Sequence, residues 1–181
     1  SITYYGNGAY DTREDADNRL FKYSSQRVSF FNQLLIARKI NEKLSIQIAP
    51  SISHQNSVDG YYTKNDSSGR ETFNSMKHDH IAVAVSARYK ITNITSFMVN
   101  YDQPITKHNS FNPNPNLSFG VEFNTSGHSF QLFFTNYSLL NPQQNNLYNT
   151  NNPISYTNNL TGAKVEGGQF LFGFNITRLW N

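Results

Sequence analysis

The chain has 181 residues, a formal net charge of +3, no cysteine and 14% aromatic residues. That length suits one domain, since all-β barrels reach it without splitting. The charge is too small and the Lys and Arg too scattered for a nucleic-acid partner, and without cysteine neither a disulfide framework nor a thiolate metal site holds the fold.

Alternation of apolar and small or polar residues marks eight strands, because side chains on a strand point to opposite faces in turn. The first is short, Ile2 to Tyr5, and a polar loop from Gly6 to Gln26 follows it, with Asp11, Glu14, Asp15 and Asp17. Arg27 to Ile40 carries Val28, Phe30, Leu34 and Ile36 on one side, interrupted by Asn32, and turns at Asn41, Glu42 and Lys43. Leu44 to His54 sets Leu44, Ile46, Ile48 and Ile52 against Ser45, Gln47, Ala49, Ser51 and Ser53. Pro50 lacks a ladder donor, which predicts a bulge or a sheet edge there. A long polar loop, Gln55 to Lys77, leads to the strand His78 to Lys90, where Ile81, Val83, Val85, Ala87 and Tyr89 oppose Ala82, Ala84, Ser86, Arg88 and Lys90.

After a tight turn at Ile91 to Ile94, Phe97, Val99 and Tyr101 face away from Met98, Asn100 and Asp102, and a Pro- and Asn-rich loop runs from Gln103 to Pro115. Leu117, Phe119, Val121 and Phe123 oppose Ser118, Gly120, Glu122 and Asn124, and Ser126 and Gly127 reverse the chain into Phe130, Leu132 and Phe134. The segment from Tyr137 to Glu166 is Asn-rich and reads as a low-complexity loop. The closing strand, Gln169 to Trp180, puts Phe170, Phe172, Phe174 and Ile176 on one side and Leu171, Gly173, Asn175 and Thr177 on the other, ending at an aromatic residue.

Short and long connections alternate, and no run of eighteen apolar residues exists to make a membrane-spanning helix. Short periplasmic turns, long outer loops, strands long enough to cross a bilayer at a tilt, and abundant Phe and Tyr for interfacial girdles together predict an all-β, antiparallel, up-and-down transmembrane barrel. The inward side chains favour that over a soluble sandwich, whose polar face would carry Lys, Glu, Arg and Thr. Here it is Ser, Gly, Ala, Gln and Asn. The predicted lipid-facing residues are Ile46, Ile48, Val83, Val85, Phe97, Val99, Phe119, Val121, Phe130, Leu132, Phe170, Phe172 and Phe174. The predicted polar lumen residues are Gln47, Ser86, Arg88, Asn100, Glu122, Gln131 and Asn175.

Other clusters carry weaker chemistry. His54, with Asn56 and Ser57, is a base and a hydroxyl at a strand end, the ingredients of acyl chemistry on lipids, but their spacing fits poorly. His78 and His80 form an H-x-H pair without an assignable third ligand, so a solvated boundary is expected rather than a metal site. Arg88, Lys90, Asp102 and Glu122 share the inner face and must be paired or wetted, with Lys90 and Asp102 read as a periplasmic rim. Arg38, Lys39, Lys43 and Arg178 gather at the short turns, where they can reach lipid headgroups by snorkelling. Asn-x-Ser/Thr triplets such as Asn93 to Thr95 reflect the high Asn content.

Three blocks carry a family resemblance: LLIARK at Leu34 to Lys39, SGHSFQLFFTN at Ser126 to Asn136 and GFNITR at Gly173 to Arg178. Together they resemble an uncharacterised family of bacterial outer-membrane β-barrel proteins, a domain of unknown function, over nearly all of the chain outside the loops. The resemblance implies that this chain matches the C-terminal two-thirds of longer members, hence a full barrel of about twelve strands, with a signal peptide removed or further sequence preceding Ser1. It implies no catalytic residue, cofactor or metal. The resulting expectation is a non-enzymatic protein of the Gram-negative outer membrane, in contact with lipid and other envelope proteins, acting as an accessory subunit or a narrow channel. A lipid-modifying enzyme and a soluble ligand-binding barrel are the alternatives.

Overall fold

Pairing along the chain turns the predicted strands into one continuous ladder. The computed structural model describes residues 1–16, 20–64, 71–158 and 162–178. Its elements are β1 (Ile2–Tyr10), a 3-10 turn (Ser24–Arg27), β2 (Val28–Lys39), β3 (Leu44–Gln55), β4 (Gly60–Lys64), β5 (Glu71–Ser75), β6 (Asp79–Lys90), β7 (Thr95–Pro104), β8 (Asn116–Asn124), β9 (His128–Thr135), α1 (Pro142–Tyr148), β10 (Tyr156–Thr157), β11 (Lys164–Val165) and β12 (Leu171–Arg178). Eight strands form an antiparallel sheet in the order β1-β2-β3-β6-β7-β8-β9-β12, while β4–β5 and β10–β11 are separate two-stranded hairpins inside long connections. These eight are the eight that alternation predicts.

Several boundaries differ from the sequence reading, each for a backbone reason. β1 continues to Tyr10 because Gly6, Asn7, Gly8 and Ala9 keep pairing with Asn32 to Ser29, although their side chains no longer alternate in polarity. β7 likewise continues to Pro104, opposite Ala82. Pro50 makes neither a bulge nor an edge. It lies in a central strand opposite Val83 of β6, and only the β2 side of the ladder lapses, between the Gln33–Ser51 and Ile36–Ile48 pairs, where its missing N–H would have been needed. Trp180 and Asp17, named in the sequence reading, lie outside the described residues.

The two faces separate as alternation requires. Ile48, Val85, Phe172 and Phe174 are between 45% and 67% exposed on the outer face, with Phe97, Phe119, Phe130, Leu132 and Phe134 beside them. Ile46, Val83, Val99, Val121 and Phe170 are half-buried there among larger neighbours. Phe119, Phe134, Phe170 and Phe172 form an aromatic cluster, with ring centroids 5.5–5.7 Å apart. Asn32, the polar break in this apolar face, accepts a hydrogen bond from the Tyr4 phenol, whose ring reaches it across Gly6. That satisfies an amide which would otherwise be costly against hydrocarbon.

Among the described residues no helix is long and apolar enough to cross a membrane, so strands are the elements that can. The sheet is not closed: β1 and β12 are its edges and do not pair with each other.

Candidate functional site

The Asn-rich segment after β9 is not a solvated loop. It folds onto the inner face of the sheet, and its asparagines are what hold it there. Asn141 caps α1 by accepting the Gln143 N–H at 2.9 Å, and Pro142 at the first helical position has no N–H to leave unpaired. Asn145 closes a ring with Leu139, accepting its N–H at 3.1 Å and donating to its carbonyl at 2.6 Å.

The helix and its C-cap then reach three strands of the wall, and the flanking chain ties back to a fourth. Gln143 donates to the Phe30 carbonyl of β2 at 3.2 Å. Tyr148 and Gln55, at the end of β3, pair through their polar ends at 3.0 Å and 3.1 Å. Asn116 of β8 donates to Asn146 at 2.7 Å and accepts from Asn149 at 2.9 Å. Past β9, Asn136 accepts the Leu117 N–H at 2.7 Å and donates to the Asn151 carbonyl at 2.8 Å. Burial of Tyr148 pushes its phenol above the usual range, so it stays a neutral donor and acceptor.

Under this segment the long-loop half of the inner space is packed. Phe31, Met76, Leu147 and His80 are at most 2% exposed, and Gln143 and Asn146 are 1% exposed. Asp102 belongs to this layer. It is buried beside Asn146, opposite Ala84 and Asn116, rather than on the short-turn rim where the sequence reading put it. The correction follows from β7: its direction and its extra length carry Asp102 to the long-loop end.

The short-turn half is different. Below the helix lies a chamber of about 940 Å³, walled by Ala37, Ser45, Gln47, Ser86, Arg88, Met98, Asn100, Ser118, Gly120, Gln131, Phe133 and Gly173 and roofed by Leu139, Leu140, Pro142 and Asn145. Small side chains are why the space exists. Phe133 lies flat over Gly173, where an added Cβ would come within 2.5 Å of the ring, so an aromatic residue lines the wall without filling the middle.

An ion pair crosses this end. Arg88 of β6 spans β7 to donate from Nε at 3.1 Å and from Nη2 at 2.6 Å to one oxygen of Glu122 on β8. Glu122 also accepts from Asn124 at 2.8 Å and from Gln131 at 2.9 Å, and Asn175 donates to Gln131 at 3.4 Å. Ser86 donates to Asn100 at 2.7 Å. Gln47, Ser86, Arg88, Asn100 and Gln131 line the chamber, while Glu122 and Asn175 lie beside it, bonded to Arg88 and Gln131. Lys90 stays at the short-turn end, where its N–H reaches the Lys43 carbonyl at 2.8 Å.

The histidines do not converge. His54 engages Asp79 through Nδ1 at 2.8 Å and Asn56 through Nε2 at 3.0 Å, so neither ring nitrogen is left for Ser57. His78 stacks on His54 and bonds the Gln55 carbonyl, whereas His80 points inward and stacks on His108 with centroids 5.1 Å apart. The Lys77 N–H donates to His108 Nδ1 at 2.8 Å, which places the His108 proton on Nε2, directed at His80 Nδ1 2.9 Å away. His80 therefore carries its own proton on Nε2. Burial holds the His108 pKa below the usual histidine value. Among the described residues no group of three His, Asp or Glu stands close enough to hold a metal.

An antiparallel meander that is apolar outside, small and polar inside, and filled at one end by its own longest connection is the anatomy of a membrane β-barrel. A family model described as a membrane bound beta barrel domain (DUF5777) matches residues 1–180, and the chain belongs to that family. No curated protein and no solved structure matches the chain.

Proposed function

We propose that the protein is a plugged β-barrel of the Gram-negative outer membrane, serving as a structural or accessory subunit of an envelope complex rather than as a pore or an enzyme. The observation that carries this reading is the α1 segment, clamped across the inner face by side-chain amides from β3 and β8 and by the Phe30 carbonyl of β2. A passive channel needs a continuous wet path, and Phe31, Met76 and Leu147 interrupt one. The outer face meets lipid, and the basic residues at the short turns meet headgroups.

The same reading holds that further strands complete the sheet. The inside of a closed eight-stranded barrel is just filled by side chains, whereas this inner face accommodates a helix and a chamber, as a barrel of about twelve strands would. Open edges in hydrocarbon would also leave a column of unpaired backbone groups. Cysteines placed at Thr3 and Asn175, on the two edge strands, are expected not to cross-link; efficient cross-linking would mean direct closure at eight.

Purification from native membranes in mild detergent tests the functional reading. Stoichiometric envelope proteins should co-purify, and lipid hydrolysis should stay at background with or without His54→Ala. A barrel that purifies alone and hydrolyses lipid until His54 is replaced would overturn it.

A further inference from the structure

The chamber under the plug combines two features that do not usually occur together in a water-filled space. Its roof is apolar: Leu139 is 48% exposed and Leu140 fully exposed, and both line it, together with Met98 and Phe133 from the wall. An apolar leucine pair at the tip of an otherwise Asn- and Gln-rich plug gains nothing by facing water, and the plug's hydrogen bonds use the Leu139 backbone, not either side chain.

The second feature is a positioned cation. The Arg88 side chain is 43% exposed, and Glu122 takes its Nε and Nη2, so among the described residues the Nη1 edge has no hydrogen bond. Glu122 itself is tied down by Gln131 and Asn124, which fixes the guanidinium as well as neutralising part of it. Lys39 and Lys90 stand on the inner face at the same end, with Lys43 in the turn beside them, and among the described residues only Glu42 adds a second carboxylate there, so the mouth is net cationic. At about 940 Å³ the chamber is within the range of small-molecule sites, which are mostly apolar with a few placed polar groups.

We infer that this chamber is a binding site for a single-chain anionic amphiphile, its head at Arg88 and its acyl chain along Met98, Phe133, Leu139 and Leu140. The inference depends on the barrel but not on the accessory-subunit role. A free fatty acid and a lysophospholipid share this chemistry. Arg88 supplies the charge-assisted contact with the head, and the small wall residues leave room for the chain.

Native mass spectrometry of the full-length protein, released from native membranes into a non-ionic detergent and titrated with palmitate, lysophosphatidylglycerol or hexadecanol, provides the test. One equivalent of palmitate or of lysophosphatidylglycerol should stay bound at activation that strips lipid from the outer face, and the tighter of the two names the source. Arg88→Gln should weaken the anionic ligand about tenfold or more while leaving hexadecanol unchanged. Leu140→Asp, at a fully exposed position that the fold does not need, should weaken both. Retention of the anionic ligands that is unchanged in both variants, or no retained equivalent in the native protein, would overturn the assignment. Neither result bears on partner co-purification, so the two readings fail separately.

Discussion

Phe31 and Gly173 both point into the barrel, and they show how differently its two ends are built. At the long-loop end large side chains from strands and plug interlock, and Phe31 is 0% exposed among them. At the short-turn end the inward positions include Ala37, Ser45, Ser86, Ser118, Gly120 and Gly173, and these small residues leave space beside the Arg88–Glu122–Gln131 bridge. The same strands thus make a packed core at one end and a chamber at the other, by side-chain volume alone. A barrel can keep its packed core and its open space on separate layers.

The contrast breaks most severely if charge is put into the packed end. Leu147→Asp, at a helix residue 1% exposed, should release the plug and make the segment 139–150 cleavable by protease in the folded protein, whereas Leu140→Asp should not. Phe31→Ala should cost about 3–5 kcal/mol in urea unfolding from detergent or bilayers, as large-to-small changes in cores do. A Gln131→Ala change at the hollow end should cost much less. Asn116→Ala should fall between them, at about 1–3 kcal/mol, because it strands Asn146 and Asn149 together.

A smaller effect sharpens the picture at the outer rim. His108 is held below its ordinary pKa, so between that ordinary value, about 6.5, and its own lower value the unfolded chain binds a proton that the folded one does not. Its contribution to stability is therefore complete above about pH 6.5 and is lost as the pH falls through the folded pKa. Urea midpoints measured at about pH 7.5 and about pH 5.5 should drop on acidification, and His108→Gln should flatten the drop.

Much of this barrel is legible in the sequence because alternation is a local signal. Ile46, Ile48, Val83 and Val85 announce their face without any knowledge of their neighbours, and the resemblance in LLIARK, SGHSFQLFFTN and GFNITR agrees with the family match. The strand ends at Gly8 and Pro104 are not legible in this way, since the backbone pairs there without a side-chain pattern. The plug is less legible still. An Asn-rich stretch has the composition of a solvated loop, and what distinguishes it is the partners of its amides, such as Asn116 for Asn146 thirty residues away. Two local cues were present: Asn141 followed by Pro142 is a helix start, and Leu139, Leu140 and Leu147 are out of place in a solvated loop. Asp102 takes its end of the barrel from the direction of β7, which runs from the short turn at Ile91 to Ile94 toward the long loop.

Planar-bilayer conductance shows whether the segment around α1 closes the lumen. The native protein should insert silently, while a variant with residues 139–150 replaced by a short Gly-Ser linker should give discrete, long-lived openings. Steady conductance from the native protein that the replacement leaves unchanged would contradict the account.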